Sequence, residues 1–211
     1  MTTHDAAAGP LLAGVVLAAG LSRRMGQPKQ LLPLAGRPLL WHTARALLDA
    51  RPTAGVLVVV PPGDLGEQVR QALHGLPLQC ATCDHPERGL SESFRAGIGA
   101  LDPAVEAASF VLGDMPFVSA GMHRAVLDRY APERPPLVLA RYGTGDDAVR
   151  APPHLFRRDL FQHFDQAGDH GPKHLIRQYG PQTAWVDLPM EALQDVDTPE
   201  DLQRAEARFQ P

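Results

Sequence analysis

Two cysteines in 211 residues exclude a disulfide-stapled scaffold. Their spacing, Cys80-x-x-Cys83, could suit a redox pair or half a zinc site with His85 as a further donor, but no second ligand pair of standard spacing accompanies it, so both are expected to be structural thiols. No apolar run approaches the length of a membrane span. The apolar stretch 10–20 has no Lys or Arg before it, so it does not read as a secretory leader, and a cytoplasmic protein is expected. Basic excess is missing too. A formal charge of −4 argues against a general nucleic-acid binder, whose phosphate contacts need a basic surface. There is no G-x-S-x-G elbow, no H-E-x-x-H pair, no G-x-G-x-x-G and no phosphate loop of the G-x-x-x-x-G-K-[ST] type. Gly171 and Pro172 separate His170 from His174, which removes the helical spacing a metal pair would need.

What is present is ordinary for a globular chain: 44% apolar and 21% charged residues, enough for one substantial core. A single domain over 1–211 is expected, with 1–12 as a flexible N-terminus. Apolar runs at 14–18, 56–61, 78–82, 109–112 and 137–140 alternate with segments of helical spacing, and 183–186 is the last strand candidate. That alternation predicts an α/β fold with a single doubly wound, mostly parallel sheet, whose ligands bind beyond the C-terminal ends of the strands. Helices are predicted from Pro38, over 64–74, after Ser91, and over 154–166 and 172–179. Residues 141–153 have no clear period and read as a functional loop. The 21 prolines fall mostly at element ends, as turn chemistry does.

The most informative stretch is 15–32, VVLAAGLSRRMGQPKQLL. An apolar strand ends at Leu17, and Ala18, Ala19 and Gly20 carry almost no side chain, so backbone N–H groups can approach an anion closely there. Arg23, Arg24 and Lys29 add mobile cations, and Gly26 a second flexible point. A plain strand-to-helix turn with solvated charges is the simpler alternative. Asp114 follows another apolar run, 110–112, where a carboxylate at a strand terminus suits Mg²⁺.

The string from Leu17 to Lys29 resembles the L-x-x-G-x-x-x-R-x-G-x-x-K signature of nucleotidyltransferases of the MobA-like group, nearest to the molybdenum cofactor cytidylyltransferases, and Gly113-Asp114-Met115-Pro116 matches a second element of that group. The resemblance implies a Rossmann-like nucleotidyltransferase fold and transfer of CMP from CTP to a phosphorylated acceptor, with Mg²⁺ as cofactor and pyrophosphate released. It implies that Arg24 and Lys29 are catalytic, holding the triphosphate, and that Leu17, Ala18, Ala19, Gly20, Arg23 and Gly26 bind nucleotide. Arg88-Gly89-Leu90-Ser91-Glu92-Ser93 resembles the segment that meets the base, with Ser93 and Gly89 as contacts, although capping of a helix by Ser91 needs no ligand. Pro61 and Pro62 could border the base as well.

Near the C-terminus, Asp195-Val196-Asp197-Thr198-Pro199-Glu200-Asp201 resembles the group's acidic ending, which implies Asp197 as a second metal ligand. Thr198 as N-cap and Pro199 at the first helical position explain the same string without a ligand. Gly168-Asp169-His170-Gly171 matches a G-D-x-G element and implies Asp169 at the acceptor. Leu-Ala-Ala-Gly resembles the CTP-using branch more than the GTP-using one. Molybdopterin is the implied acceptor, but Arg150-Ala151-Pro152-Pro153 stands where the group usually shows Arg-Gly-His-Pro or Arg-Gly-Asn-Pro, which leaves another phosphorylated acceptor open. Pro28-Lys29-Gln30 is similar to methylerythritol phosphate cytidylyltransferases, whose His-Asp-x-x-Arg-Pro element is missing here. A different class of reading is a non-catalytic chaperone that binds the cofactor for a molybdoenzyme partner.

Overall fold

The structure is a computed structural model that describes residues 9–20, 27–166, 172–196 and 198–209. Arg23, Arg24, Gly26, Asp169 and Asp197 lie outside the described residues.

Seven strands form one sheet. In chain order the elements are β1 (Leu12–Leu17), a short hairpin of β2 (Pro33–Leu34) and β3 (Arg37–Pro38), α1 (Leu39–Asp49), β4 (Val56–Val60), α2 (Gly63–Ala72), β5 (Gln79–Thr82), α3 (Leu90–Gly99), β6 (Ala107–Leu112), α4 (Ala120–Tyr130), β7 (Leu137–Tyr142), β8 (Val149–Arg157), α5 (Lys173–Gln178), β9 (Thr183–Leu188) and α6 (Pro199–Phe209). The sheet runs β5-β4-β1-β6-β8-β7-β9. Every neighbouring pair is parallel except those of β8, which is antiparallel to both β6 and β7. β1 is fully buried, as a central parallel strand covered on both faces must be. Its alternate residues feed two cores: Val15 and Leu17 meet Phe94, Phe110 and Phe156 on one face, while Val16 meets Leu40, Leu47 and Val58 on the other.

From β1 the chain steps outward to β4 and β5 and then returns to the other side of β1 as β6. This reversal makes the C-terminal ends of β1 and β6 a topological switch point, the place where sheets of this kind bind ligands.

Two sequence expectations are corrected. Residues 141–153 are a loop only over 143–148, because Arg141 and Tyr142 end β7 and the whole stretch from Val149 belongs to β8. The expected helix over 154–166 is instead the inner half of β8 followed by a 3₁₀ turn over Arg158–Gln166. Pro152 and Pro153 can sit in an inner strand because they fall where its ladder lapses. β6 pairs with β8 only from His154 onward, and against β7 the register slips between Leu139 and Arg141, so neither proline owes an N–H to a neighbour. The peptide bond joining them is cis, and the Tyr142 hydroxyl donates to the Pro152 carbonyl at 2.6 Å.

α6 closes over the hairpin. The Ala35 N–H donates to Glu206 at 3.0 Å, Phe209 packs on His42 and Phe117, and Val196 and Ala205 are buried with Leu34 and Leu39. No described helix is long and apolar enough to cross a membrane.

Candidate functional site

Where β1 and β6 end side by side, Leu17 pairs with Leu112 and the Gly113 N–H donates to the Leu17 carbonyl at 3.0 Å. Gly113 allows this approach because a Cβ there would lie 3.0 Å from Leu40 and 3.2 Å from the Ala18 methyl. Its carbonyl accepts from the buried Thr43 hydroxyl at 3.2 Å, which ties the turn to α1. Directly beyond it, Asp114 enters a cleft of about 240 Å³ that Leu17, Ala18, Ala19 and Gly20 line from the β1 side.

Lys29, carried on a short 3₁₀ turn, forms an ion pair with one oxygen of Asp114 inside this cleft, with both side chains largely screened from solvent. The second oxygen, Oδ1, is buried and has no hydrogen-bond partner among the described residues. A buried carboxylate oxygen left without a donor is costly unless a cation or water satisfies it, so Asp114 fits a divalent metal. It would not hold one alone. Among the described residues no three His, Cys, Asp or Glu side chains converge as a metal cage, and Mg²⁺ commonly takes one or two carboxylates, with phosphate oxygens and water completing its shell. The Val196 N–H donates to the Asp114 carbonyl at 3.3 Å, bringing the acidic C-terminal string to this turn.

Gly89, just before α3, and Ser93 within it line the same cleft as Gly20 and Lys29. Gly89 has φ 101° and is itself the N-cap, so Ser91 does not cap the helix; it is buried within the first turn. Pro61 and Pro62 do not border the cleft, and Pro86 does. Thr198 does cap α6: its hydroxyl accepts from the Asp201 N–H at 3.2 Å, and Asp201 accepts from the Thr198 N–H at 2.9 Å, a reciprocal capping box with Asp in the usual Glu position.

One contributor went unrecognised in the sequence. Gln30 is 3% exposed, and its amide Nε2 donates to the carbonyls of Ala18 at 2.9 Å and Gly20 at 2.6 Å. With these carbonyls held by Gln30 and the Ala18 N–H given to the Val59 carbonyl at 2.9 Å, the N–H groups that the turn can offer an anion are those of Ala19 and Gly20. The clue was its place after Lys29 at the head of an apolar pair, Leu31-Leu32.

A second cavity, of about 560 Å³, adjoins the first and shares Leu17, Leu90 and Leu112 with it. Phe94, Phe110 and Ile176 give it apolar walls, and Arg150, Lys173 and Arg177 stand at it. Those three cations are exposed, and none pairs with a described acid.

Cys80 and Cys83 are free thiols that pack into cores on opposite faces of the sheet. Burial pushes both thiols above the ordinary cysteine range, the reverse of what a redox nucleophile needs.

A family model for the MobA-like NTP transferase domain matches residues 14–183. The chain belongs to the MobA-like NTP transferases. Its relatives include the bifunctional protein GlmU of Sphingopyxis alaskensis, 34% identical over 138 residues, which is 64% of this chain and 30% of GlmU. The chain thus spans about a third or less of the GlmU relatives it matches. Among solved structures, Rv0371c from Mycobacterium tuberculosis is 25% identical, with a TM-score of 0.79 over 95% of this chain and all of that one. A second structure of Rv0371c is its complex with manganese, with a TM-score of 0.71 over 93% of this chain and 98% of that one at 24% identity. The 4-diphosphocytidyl-2C-methyl-D-erythritol synthase of Anaerococcus prevotii has a TM-score of 0.79 at 16% identity, over 97% of this chain and all of that one. That likeness carries the fold alone. Membership of the MobA-like group makes this chain a nucleotidyltransferase-like protein.

Proposed function

We propose that this protein transfers CMP from CTP to a phosphorylated acceptor of the molybdopterin type and releases pyrophosphate. The observation that carries this reading is the pair of adjoining cavities: a small polar one around Lys29 and Asp114, and an apolar one rimmed by Arg150, Lys173 and Arg177. Nucleotidyl transfer needs that arrangement, since an acceptor phosphate oxygen must reach the α-phosphorus from the side opposite the pyrophosphate.

In this mechanism the bond from α-phosphorus to the bridging oxygen breaks as the new phosphate–phosphorus bond forms, and pyrophosphate carries away the electron pair. The turn presents the N–H groups of Ala19 and Gly20 to the triphosphate. Lys29, with Arg24, neutralises the phosphate oxygens, and Arg23 assists. Nucleotide phosphate would draw Lys29 away from Asp114, and the Asp114 carboxylate would then be one of the groups to hold Mg²⁺. The metal, when bound, screens the negative charge of both reactants and stabilises the leaving pyrophosphate. Asp197 supplies a further carboxylate, Ser93 and Gly89 meet the cytosine, and Asp169 meets the acceptor.

The GlmU similarity favours a second reading, a different phosphorylated acceptor such as a sugar or polyol phosphate. Apolar walls of Phe94, Phe110 and Ile176 offer such a molecule few hydrogen bonds. A test is to incubate the protein with Mg²⁺, each nucleoside triphosphate in turn and molybdopterin, following pyrophosphate and the mass of any dinucleotide. A cytidine dinucleotide that disappears in Asp114→Ala supports the proposal. Turnover only with another acceptor or with GTP overturns the substrate assignment, and binding without pyrophosphate release points to a chaperone.

A further inference from the structure

Three residues of β8, Arg150, Pro152 and His154, all face the second cavity, as the period of two along a strand requires. Arg150 is exposed at the open end, while His154 is 8% exposed and sits in the strand beside Phe110. His154 Nδ1 lies 3.1 Å from the Pro153 carbonyl oxygen. A carbonyl only accepts, so this contact puts the proton on Nδ1 and leaves Nε2 as a bare acceptor. Burial keeps the ring neutral, with its pKa down to about 4; the Pro153 contact opposes that shift and the nearby Arg150 charge adds to it. Among the described residues Nε2 has no hydrogen-bond partner, so the apolar cavity contains one strong acceptor.

We infer that His154 selects the acceptor: its Nε2 takes a hydrogen bond from an N–H on a flat, largely apolar ring system, while the same molecule's phosphate is held at the mouth by Arg150, Lys173 and Arg177. The substrate class is therefore a phosphate monoester of a planar heterocycle with a ring N–H donor remote from the phosphate. This rests on the second cavity being the acceptor site. A site with a buried acceptor discriminates against ligands that cannot donate to it, because the lone pair then loses water without replacement.

Two aromatic phosphates separate the features. 3-Indolyl phosphate carries a ring N–H, and 1-naphthyl phosphate is similar in size and flatness without one. Calorimetry on the full chain without nucleotide is expected to give about tenfold tighter binding of the indolyl compound, as one net hydrogen bond of roughly 1.4 kcal/mol implies. His154→Leu should equalise the two by weakening only the indolyl compound, and His154→Gln, whose amide oxygen also accepts, should restore part of the preference. Equal affinities in the unaltered protein, failure of both compounds to bind, or a preference that survives His154→Leu would each overturn the inference. So would an equal loss of both ligands in that variant, the sign of a structural role. The wild-type comparison needs no altered protein and stands even if a variant misfolds. If the binding pattern holds but CTP and Mg²⁺ yield no pyrophosphate with any acceptor, the transferase proposal fails and the role of His154 in binding remains.

Discussion

Lys29 and Asp114 are unequal partners, since Lys29 meets only one oxygen of Asp114 and the other is buried without a donor. Removing the carboxylate in Asp114→Ala takes away both the counter-charge of Lys29 and the proposed metal ligand. Pyrophosphate release should fall by about 10²–10³, the scale set by loss of one preorganised charge contact, with nucleotide binding measured alongside. Gln30→Leu keeps the bulk but leaves the Ala18 and Gly20 carbonyls without their donor. A cost of about 1–3 kcal/mol should appear mainly as a higher KM for nucleotide, and an unchanged KM would show that the turn holds its shape unaided. Lys29 and Asp114 were legible in the sequence because charges beside small residues at strand ends imply a ligand. Gln30 was not, because an amide reads as surface polarity until its burial is known.

At the scale of elements, the parallel half of the sheet was readable and β8 was not. Val56–Val60 is a continuous apolar run with an unambiguous period, whereas Arg150-Ala151-Pro152-Pro153 carries the residues that argue most strongly against a strand. The lapse in pairing that admits them depends on the register against two other strands, β6 and β7, which no local pattern contains. Close packing between elements was equally hidden. Gly66 in α2 lies so near the end of β4 that a Cβ would overlap the Pro61 carbonyl oxygen, so Gly66→Ala should lower stability by about 1–3 kcal/mol in urea unfolding. The start of α6, by contrast, was plain from Thr198-Pro199. Thr198→Ala should cost about 1 kcal/mol, read as a lower midpoint of unfolding.

The molecule as a whole should be sensitive to mild acid. His123 is fully buried, with neither ring nitrogen hydrogen-bonded among the described residues, and burial lowers its pKa to about 4, as it does for His154. Both rings are neutral in the folded chain, while the unfolded chain protonates them below about 6.5. Their contribution is thus complete above pH 6.5 and is lost progressively as pH falls toward 4. Urea unfolding should weaken by a few kcal/mol over that window, and His123→Leu should flatten the dependence; equal slopes would assign acid sensitivity to the carboxylates. The overall architecture was the most legible level of all, since alternating apolar runs suffice to predict the doubly wound, mostly parallel sheet that is found. The boundary between the two cavities adds a constraint on time as well as space. Leu17, Leu90 and Leu112 are the residues they share, and no leucine can carry a nucleotidyl group from one chamber to the other. For the proposed transfer this favours direct passage between two substrates resident together, and initial rates plotted reciprocally against either one should give intersecting lines; a parallel set would show an enzyme covalently charged between visits.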